Sequence, residues 1–219
     1  MLYKYIFWDW NGTLLDDARV AFNAVNAMLT KRGLKNISFE QYREYVDVPI
    51  IKFYERVMDM SKECMEQISV EFNSLCKSFM PEYPLAKNAK ELLSALNKAG
   101  VKQYIFSSSK TERITPYLEE YGIDKYLSAV LGSPDIYAGS KAERTRDFVL
   151  ANSIPPNECL FVGDLVHDCE TASLVGSECV LLSCGHQSKQ SLLQTGRRVI
   201  DSLEELSEYL NINLQEVEK

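Results

Sequence analysis

The sequence predicts an α/β protein, a doubly wound parallel sheet with an inserted all-helical block. Three observations carry this expectation. The chain opens on an apolar run, Ile6-Phe7-Trp8, which ends on the carboxylate of Asp9 and breaks into the turn Asn11-Gly12. From about residue 86 onward, short apolar runs alternate with amphipathic segments, the rhythm of successive strand–helix units. Between these regions, residues 16–80 mix apolar and charged positions with no strict alternation, which reads as four helices and no strand.

Taken in order, the first strand ends at Asp9, although Asn-Gly between two apolar runs is also a hairpin signal. Asp16-Asp17 then marks a helix start, with negative charge at the positive end of the dipole. Val20, Ala24, Ala27, Met28 and Leu29 recur at helical spacing, and Gly33 ends the run. Further helices are expected over 38–46, 50–58 and 61–79, and Pro81 and Pro84 close the block. A helix over 86–99 stops at Gly100, and a strand over 101–106 runs into Ser107-Ser108-Ser109-Lys110. A helix over 111–121 precedes a short strand at 126–131. A helix from Ser140 or Lys141 to 152 leads to a strand over 159–162 that ends at Gly163-Asp164. A helix over 167–175, a strand over 179–182, and helices over 188–194 and 202–210 around a short strand at 197–200 complete the chain. The expected division is a core of residues 1–15 and 81–219, with 16–80 as a helical domain, and no disorder is expected beyond the last few residues.

Composition bounds the function. A chain of 219 residues with 46% hydrophobic and 25% charged residues is ordinary for a soluble globular protein. The net charge of −7 argues against a nucleic-acid backbone or an anionic membrane as partner. No apolar run reaches membrane-span length, and the first residues lack the pattern of a signal peptide. The six cysteines form no CxxC pair, and the two histidines are His167 and His186, so a zinc site is not expected and reduced, mostly buried thiols are. A cytoplasmic monomer or homodimer fits best.

Four chemical features fall at the ends of four predicted strands: Asp9; Ser107; Lys141, after the loop from the third strand; and Asp164 with Asp168. In a doubly wound sheet these ends meet in one crevice. Each feature has a bland reading. The Ser107–Ser109 run caps or turns, Lys141 lies on the surface, and Asp164 and Asp168 are a turn residue and a helix-start residue. Those readings require four coincidences at four strand ends.

In this order the motifs resemble those of the haloacid dehalogenase superfamily. Asp9-Trp10-Asn11-Gly12-Thr13 resembles its DxDGT motif and Phe106-Ser107-Ser108 its second. Lys141 fits the third, and Gly163-Asp164-Leu165-Val166-His167-Asp168 fits GDxxxD. The resemblance spans nearly the whole chain and implies a Rossmann-like sheet with a helical cap closing over the site. Asp9 can attack phosphorus to form an aspartyl-phosphate. Asp9, Asp164 and Asp168 repel one another unless a cation sits between them, and Mg²⁺ suits such oxygen ligands, with the backbone carbonyl of Asn11 as a further ligand by resemblance. Gly12 and Thr13 cradle phosphate, Ser107 and Ser108 offer hydroxyl donors, and Lys141 supplies charge where negative charge develops. The expected partner is a small phosphorylated substrate. His167 and His186 are assigned no role.

The sequence departs from the family at Asn11, which stands where phosphatases of the family carry the acid that protonates the leaving group and then activates water. An amide hydrogen-bonds but cannot exchange a proton at neutral pH, and losing a general acid–base costs about 10²–10⁴-fold in rate. Three consequences are open: a substrate with a good leaving group, a substitute such as Asp17 or a metal-bound water, or a slow protein that mainly binds a phosphorylated ligand. The change argues against a sugar-phosphate mutase. A second resemblance, to phosphonoacetaldehyde hydrolase, uses a cap lysine as a Schiff base. Lys52 lies at a comparable position, beside Ile50, Ile51 and Phe53, and its alternatives are a solvated helix residue or a phosphate contact. Carbon–halogen cleavage needs no metal and leaves Asp164 and Asp168 without purpose.

Overall fold

Strand β1 (Tyr5–Trp8) is flanked on both sides by parallel partners, β2 (Lys102–Lys110) and β4 (Cys159–Gly163). This excludes the hairpin reading of Asn11-Gly12, because the residues after β1 do not return along it. The computed structural model describes residues 3–79, 84–133 and 140–214. Among these, β3 (Ala129–Ser133), β5 (Glu178–Leu182) and β6 (Arg198–Ile200) complete a six-stranded sheet of order β3-β2-β1-β4-β5-β6. Every pairing is parallel. The winding direction reverses between β1 and β4, which places a crevice at their C-terminal ends.

Alternation along each strand builds the two layers of core. Ile6, Trp8, Ile105, Leu160, Val162, Val180 and Leu182 belong to one buried cluster, and Phe7, Phe106, Phe161 and Leu181 to another. On the second face, Phe7 stacks on Phe161 at 4.7 Å and on Tyr104 at 4.9 Å, an aromatic row across three neighbouring strands. Both faces are covered by helices, as the near-continuous apolar strands require. These are α5 (Ala89–Lys98), α6 (Thr111–Tyr121), α7 (Lys141–Ala151), α8 (Val166–Val175), α9 (Lys189–Leu193) and α10 (Leu203–Tyr209).

Between β1 and α5 the described residues carry four α-helices, α1 (Ala18–Lys31), α2 (Phe39–Tyr45), α3 (Ile51–Val57) and α4 (Met65–Phe79). They share their own buried cluster, including Met28, Leu29, Tyr42, Phe53 and Ile68. The chain leaves and re-enters the sheet region at one place: Asp16 N–H donates to Pro84 O at 3.0 Å, and Ala86 N–H to Leu14 O at 2.8 Å. Pro81 and the expected boundary at 80/81 lie outside the described residues, as do 134–139 before Lys141 and the tail beyond 214.

The differences from sequence expectation are local. Helix α4 begins at Met65 because 60–62 form a 3₁₀ turn capped by Asp59. Helix α5 begins at Ala89 because Asn88 turns left-handed, at φ 66°. Strand β2 continues through the serine run to Lys110, with its register to β3 shifting between Phe106 and Lys110. The six cysteines form no disulfide, with Cys64 and Cys184 exposed and the other four buried. Among the described residues, no helix is long and apolar enough to cross a membrane.

Helix α2 is tied to the segment after β5. Arg43 Nη2 donates to the carbonyls of Ser183 and of Gln187, the latter at 2.8 Å. Ser188 N–H returns a bond to Arg43 O at 2.9 Å, and Gln187 Nε2 reaches Val46 O at 3.0 Å. These bonds hold the helical block against strand ends of the crevice side.

Candidate active site

Asp9 is the first residue beyond β1, and its N–H donates to Val162 O of β4 at 2.8 Å. The loop that follows folds on itself. Trp10 is buried, and its carbonyl receives the N–H groups of Leu14 and Leu15 at 3.1 and 2.9 Å. Asp17 closes this loop from beneath, accepting from Gly12 N–H at 2.8 Å and Asn11 Nδ2 at 2.7 Å. Asp17 is therefore not the free helix-start charge the sequence suggests. Its side chain makes no cap bond to α1 and is spent on the loop.

Asp9, Asp164 and Asp168 converge, with one carboxylate oxygen from each lying within 4.8 Å of the others. All three are buried, Asp164 and Asp168 completely. Lys141, at the start of α7, points its ammonium between Asp9 and Asp168, 2.6 Å from the latter and in a still closer ion pair with the former. Asp168 faces two ways: one oxygen meets Lys141, and the other accepts from the N–H groups of Asp164 and Leu165 at 3.0 and 2.9 Å. It thus fixes both the ammonium and the turn that carries Asp164. Thr13 is fully buried, with its hydroxyl 3.4 Å from Asp164.

The site carries excess negative charge. Burial pushes the Asp9 carboxyl up to about 8, with Asp168 and Asp164 adding repulsion that Lys141 only partly offsets. Burial likewise lifts Asp164 to about 6, against the opposing charge of His186. Burial alone would lower Lys141, but the carboxylates of Asp168 and Asp9 raise it. Burial is thus the main cause for the two acids, whereas for the ammonium it is the neighbouring carboxylates that raise it against burial. The all-oxygen donor set of Asp9, Asp164 and Asp168 is of a kind that fits a hard divalent cation.

Ser107 is buried, and its hydroxyl accepts from Ser109 N–H at 3.1 Å. Arg144 of α7 donates to Ser107 O at 2.9 Å. Ser108 is exposed, and the residue of this run that reaches the loop is Ser109, whose hydroxyl donates to Asn11 Oδ1 at 2.8 Å. The irregularity in β2 is what re-aims the run.

His186, to which the sequence assigns no role, lies in the site. Its N–H donates to Asp164 at 2.6 Å, Nε2 lies 3.0 Å from Asp17, and Nδ1 lies 2.8 Å from the Tyr42 hydroxyl of α2. Burial alone would lower its pKa, but the charges of Asp17, Asp164 and Asp9 raise it to about 9, so the ring is an imidazolium at neutral pH. A sequence signal for it exists: His186 closely follows the end of β5, the neighbour of β4. His167 instead pairs with Glu170 at 3.0 Å, away from the cluster.

Lys52 is not brought to the site environment a Schiff base needs. It is about half exposed, 3.4 Å from Asp47, and donates to Val48 O at 3.1 Å. Ile50 and Ile51 are exposed, while Phe53 turns into the helical block's core. Among the described residues no apolar side chains enclose the amine.

Gly12 has φ 74°, and a Cβ there would overlap the Asp164 carboxylate and the His186 ring. Gly12→Ala is therefore expected to cost about 1–3 kcal/mol in thermal unfolding and to displace Asp164. Unchanged melting would contradict this close approach.

Residues 6–182 match the model of a family described as haloacid dehalogenase-like hydrolases. The chain is 27% identical over 212 residues to a phosphoglycolate phosphatase of Pseudomonas fluorescens, covering 93% of this chain and 78% of that protein. It is also 27% identical over 225 residues to the phosphoglycolate phosphatase of Vibrio parahaemolyticus, covering 96% and 97%. Among solved structures, a haloacid dehalogenase-like protein of Streptococcus pneumoniae superposes with a TM-score of 0.79 at 19% identity, over 94% of this chain and 98% of that one. A predicted phosphoglycolate phosphatase of Haemophilus somnus superposes with a TM-score of 0.75 at 22% identity, over 96% and 99%. These structural likenesses concern the fold.

Proposed function

The chain belongs to the haloacid dehalogenase-like hydrolases, and from that membership we propose that it is a Mg²⁺-dependent phosphohydrolase acting on a small phosphorylated metabolite through an aspartyl-phosphate. The observation that carries this reading is the buried trio of Asp9, Asp164 and Asp168 around a single ammonium. A fold does not bury this much like charge without a partner for it. The names of the relatives, phosphoglycolate phosphatases, support a small phosphorylated acid as the type of substrate.

In this reading Asp9 is the nucleophile. One of its oxygens bonds to phosphorus as the ester bond breaks and its electron pair leaves on the departing oxygen. Lys141 holds Asp9 in place and offers charge to the phosphoryl oxygens. Gly12, Thr13 and Ser107 form the phosphate side of the site. Asp9, Asp164, Asp168 and the Asn11 carbonyl are the residues that would hold the metal, with Asp168 also fixing Lys141. The metal, when bound, neutralises the carboxylates and the phosphate oxygens. Residues 16–80 act as a cap over the core formed by 1–15 and 81–219, excluding water and selecting the substrate. Asn11 donates no proton, so good leaving groups are favoured.

The test is steady-state hydrolysis of an aryl phosphate, an acyl phosphate and phosphoglycolate, with Mg²⁺ and with a chelator. The expected result is turnover lost on chelation, with the aryl and acyl compounds ahead of the alkyl ester by about 10²-fold or more. Absence of metal-dependent hydrolysis for all three overturns the reading and leaves a protein that only binds phosphorylated ligands.

A further inference from the structure

We propose that Tyr42 of the helical block and His186 of the segment after β5 are positioning residues for the metal ligand Asp164, so that docking of the block and affinity for the divalent cation strengthen each other. This rests on the metal-dependent reading above and extends cation binding to residues outside the acidic trio.

The Asp164 carboxylate lies between two stretches of backbone. A Cβ at Gly12 or at Gly185 would overlap it, so both glycines pass directly against it. From the second stretch, His186 N–H donates to Asp164 Oδ2 at 2.6 Å. The Thr13 hydroxyl, 3.4 Å from Oδ1, holds the other oxygen more loosely. The backbone at residue 186 is therefore the firmer hold on this carboxylate. The first stretch is fixed by Asp17, which accepts from Gly12 N–H at 2.8 Å. The second is fixed through the His186 ring, whose Nε2 lies 3.0 Å from Asp17 and whose Nδ1 lies 2.8 Å from the Tyr42 hydroxyl. Tyr42, His186 and Asp164 thus form a connected chain from the helical block to the acidic trio.

Tyr42 moves with the block because it is part of the block's core. It is 5% exposed, and its ring meets Phe53 edge-on at 5.6 Å and Phe22 at 6.0 Å. The backbone on either side of His186 is bound to the same block. Arg43 donates to the carbonyls of Ser183 and Gln187, and Gln187 Nε2 donates to Val46 O at 3.0 Å. A shift of α2 therefore shifts residue 186, and with it the donor on Asp164. Cation binding needs that carboxylate in one orientation, and groups that orient a metal ligand change metal affinity by about 10–100-fold. The coupling is reciprocal: a bound cation must strengthen docking of the block by the factor that docking lends to the cation. A separate contact between block and core, Arg113 Nη1 of α6 to Asn73 Oδ1 of α4 at 2.7 Å, is exposed and involves none of these residues.

The experiment is calorimetric titration of the full chain with Mg²⁺, for wild type, Tyr42→Phe, His186→Gln, the double variant and Arg113→Ala. Hydrogen exchange of α2 is followed with and without Mg²⁺. Tyr42→Phe keeps the ring in its aromatic cluster and removes only the hydroxyl. His186→Gln keeps an amide donor for Asp17 and loses the bond to Tyr42. The expected result is a Kd for Mg²⁺ raised by about 10-fold in Tyr42→Phe and in His186→Gln. Arg113→Ala should stay within about 2-fold of wild type, since a general loosening of the block is not what the cation senses. The double variant should bind no more weakly than His186→Gln, because Tyr42 acts through His186. Mg²⁺ should slow exchange in α2 of wild type by about 10-fold, and by less in Tyr42→Phe. If Tyr42→Phe does not fold, His186→Gln carries the same expectation against Arg113→Ala. An unchanged Kd in Tyr42→Phe, an equal loss in Arg113→Ala, losses that multiply in the double variant, or exchange in α2 that ignores Mg²⁺ overturns the inference. Failure of the phosphohydrolase reading looks different: wild type then binds Mg²⁺ with this coupling yet hydrolyses no phosphate ester in an Asp9-dependent manner. A wild type that takes up no Mg²⁺ overturns both.

Discussion

Replacing Asp9 with asparagine should lower Mg²⁺-dependent hydrolysis of an aryl phosphate by about 10³-fold or more, because no other side chain takes over the covalent step. The substitution keeps the shape of the side chain and a hydrogen-bond acceptor for Lys141, so the fold should survive. Stability sharpens the prediction. The Asp9 carboxyl is pushed from 3.8 up to about 8, first by burial and then by Asp168 and Asp164. A group whose folded pKa is raised lends its stability below the unfolded value and loses it as pH rises toward the folded one. Without metal, near pH 8, the Asp9→Asn variant should therefore melt no lower than wild type while being inactive. Turnover within 10-fold of wild type (about 1.4 kcal/mol in barrier) would mean the nucleophile is elsewhere.

Lys141→Met should be the most destabilising single change at the site. The ammonium is buried between Asp9 and Asp168, whose side chains are 8% and 0% exposed. Methionine keeps much of the stem's contact, including the packing on the Phe106 ring, but leaves two buried carboxylates without their cation. Breaking a buried pair in this way costs about 3–5 kcal/mol, a large share of the roughly 5–15 kcal/mol that holds a domain together. Denaturant unfolding measures it. Mg²⁺ should restore part of the loss, since it replaces positive charge at the same carboxylates. A loss below about 1 kcal/mol would mean that the pair is screened by solvent, contrary to its burial.

Much of this was legible in the chain because the features are local. Asp9 and Asp164 each follow an apolar run and lie just past the end of a strand, as such runs indicate, whereas β2 continues past Ser107 to Lys110. Lys141 at the head of α7 was harder, since a lysine after a loop is ordinarily solvated. Only its place in order with the other three distinguished it. The serine run shows the limit. Ser107 and Ser108 were the natural choices after Phe106, yet the register shift in β2 turns Ser109 toward Asn11 and leaves Ser108 exposed. A bulge has no simple signature in a run of identical residues. Lys52 shows the converse: apolar neighbours in sequence do not make an apolar pocket when the helix turns two of them to solvent.

By itself the sequence determined the strand–helix rhythm, the helical insertion after β1 and the acidic strand tips, because apolar periodicity and turn residues act over a few neighbours. Only the tertiary structure decided the partners of Asp17, Asn11 and His186. Asp17 reads as a helix start and His186 as a loop residue, 169 positions apart in the chain, yet they meet at 3.0 Å. Their meeting depends on β5 lying beside β4 and on α2 docking against the segment after β5. The energies that choose that contact, hydrogen bonds to buried charges, arise between elements and leave no periodic trace in either segment.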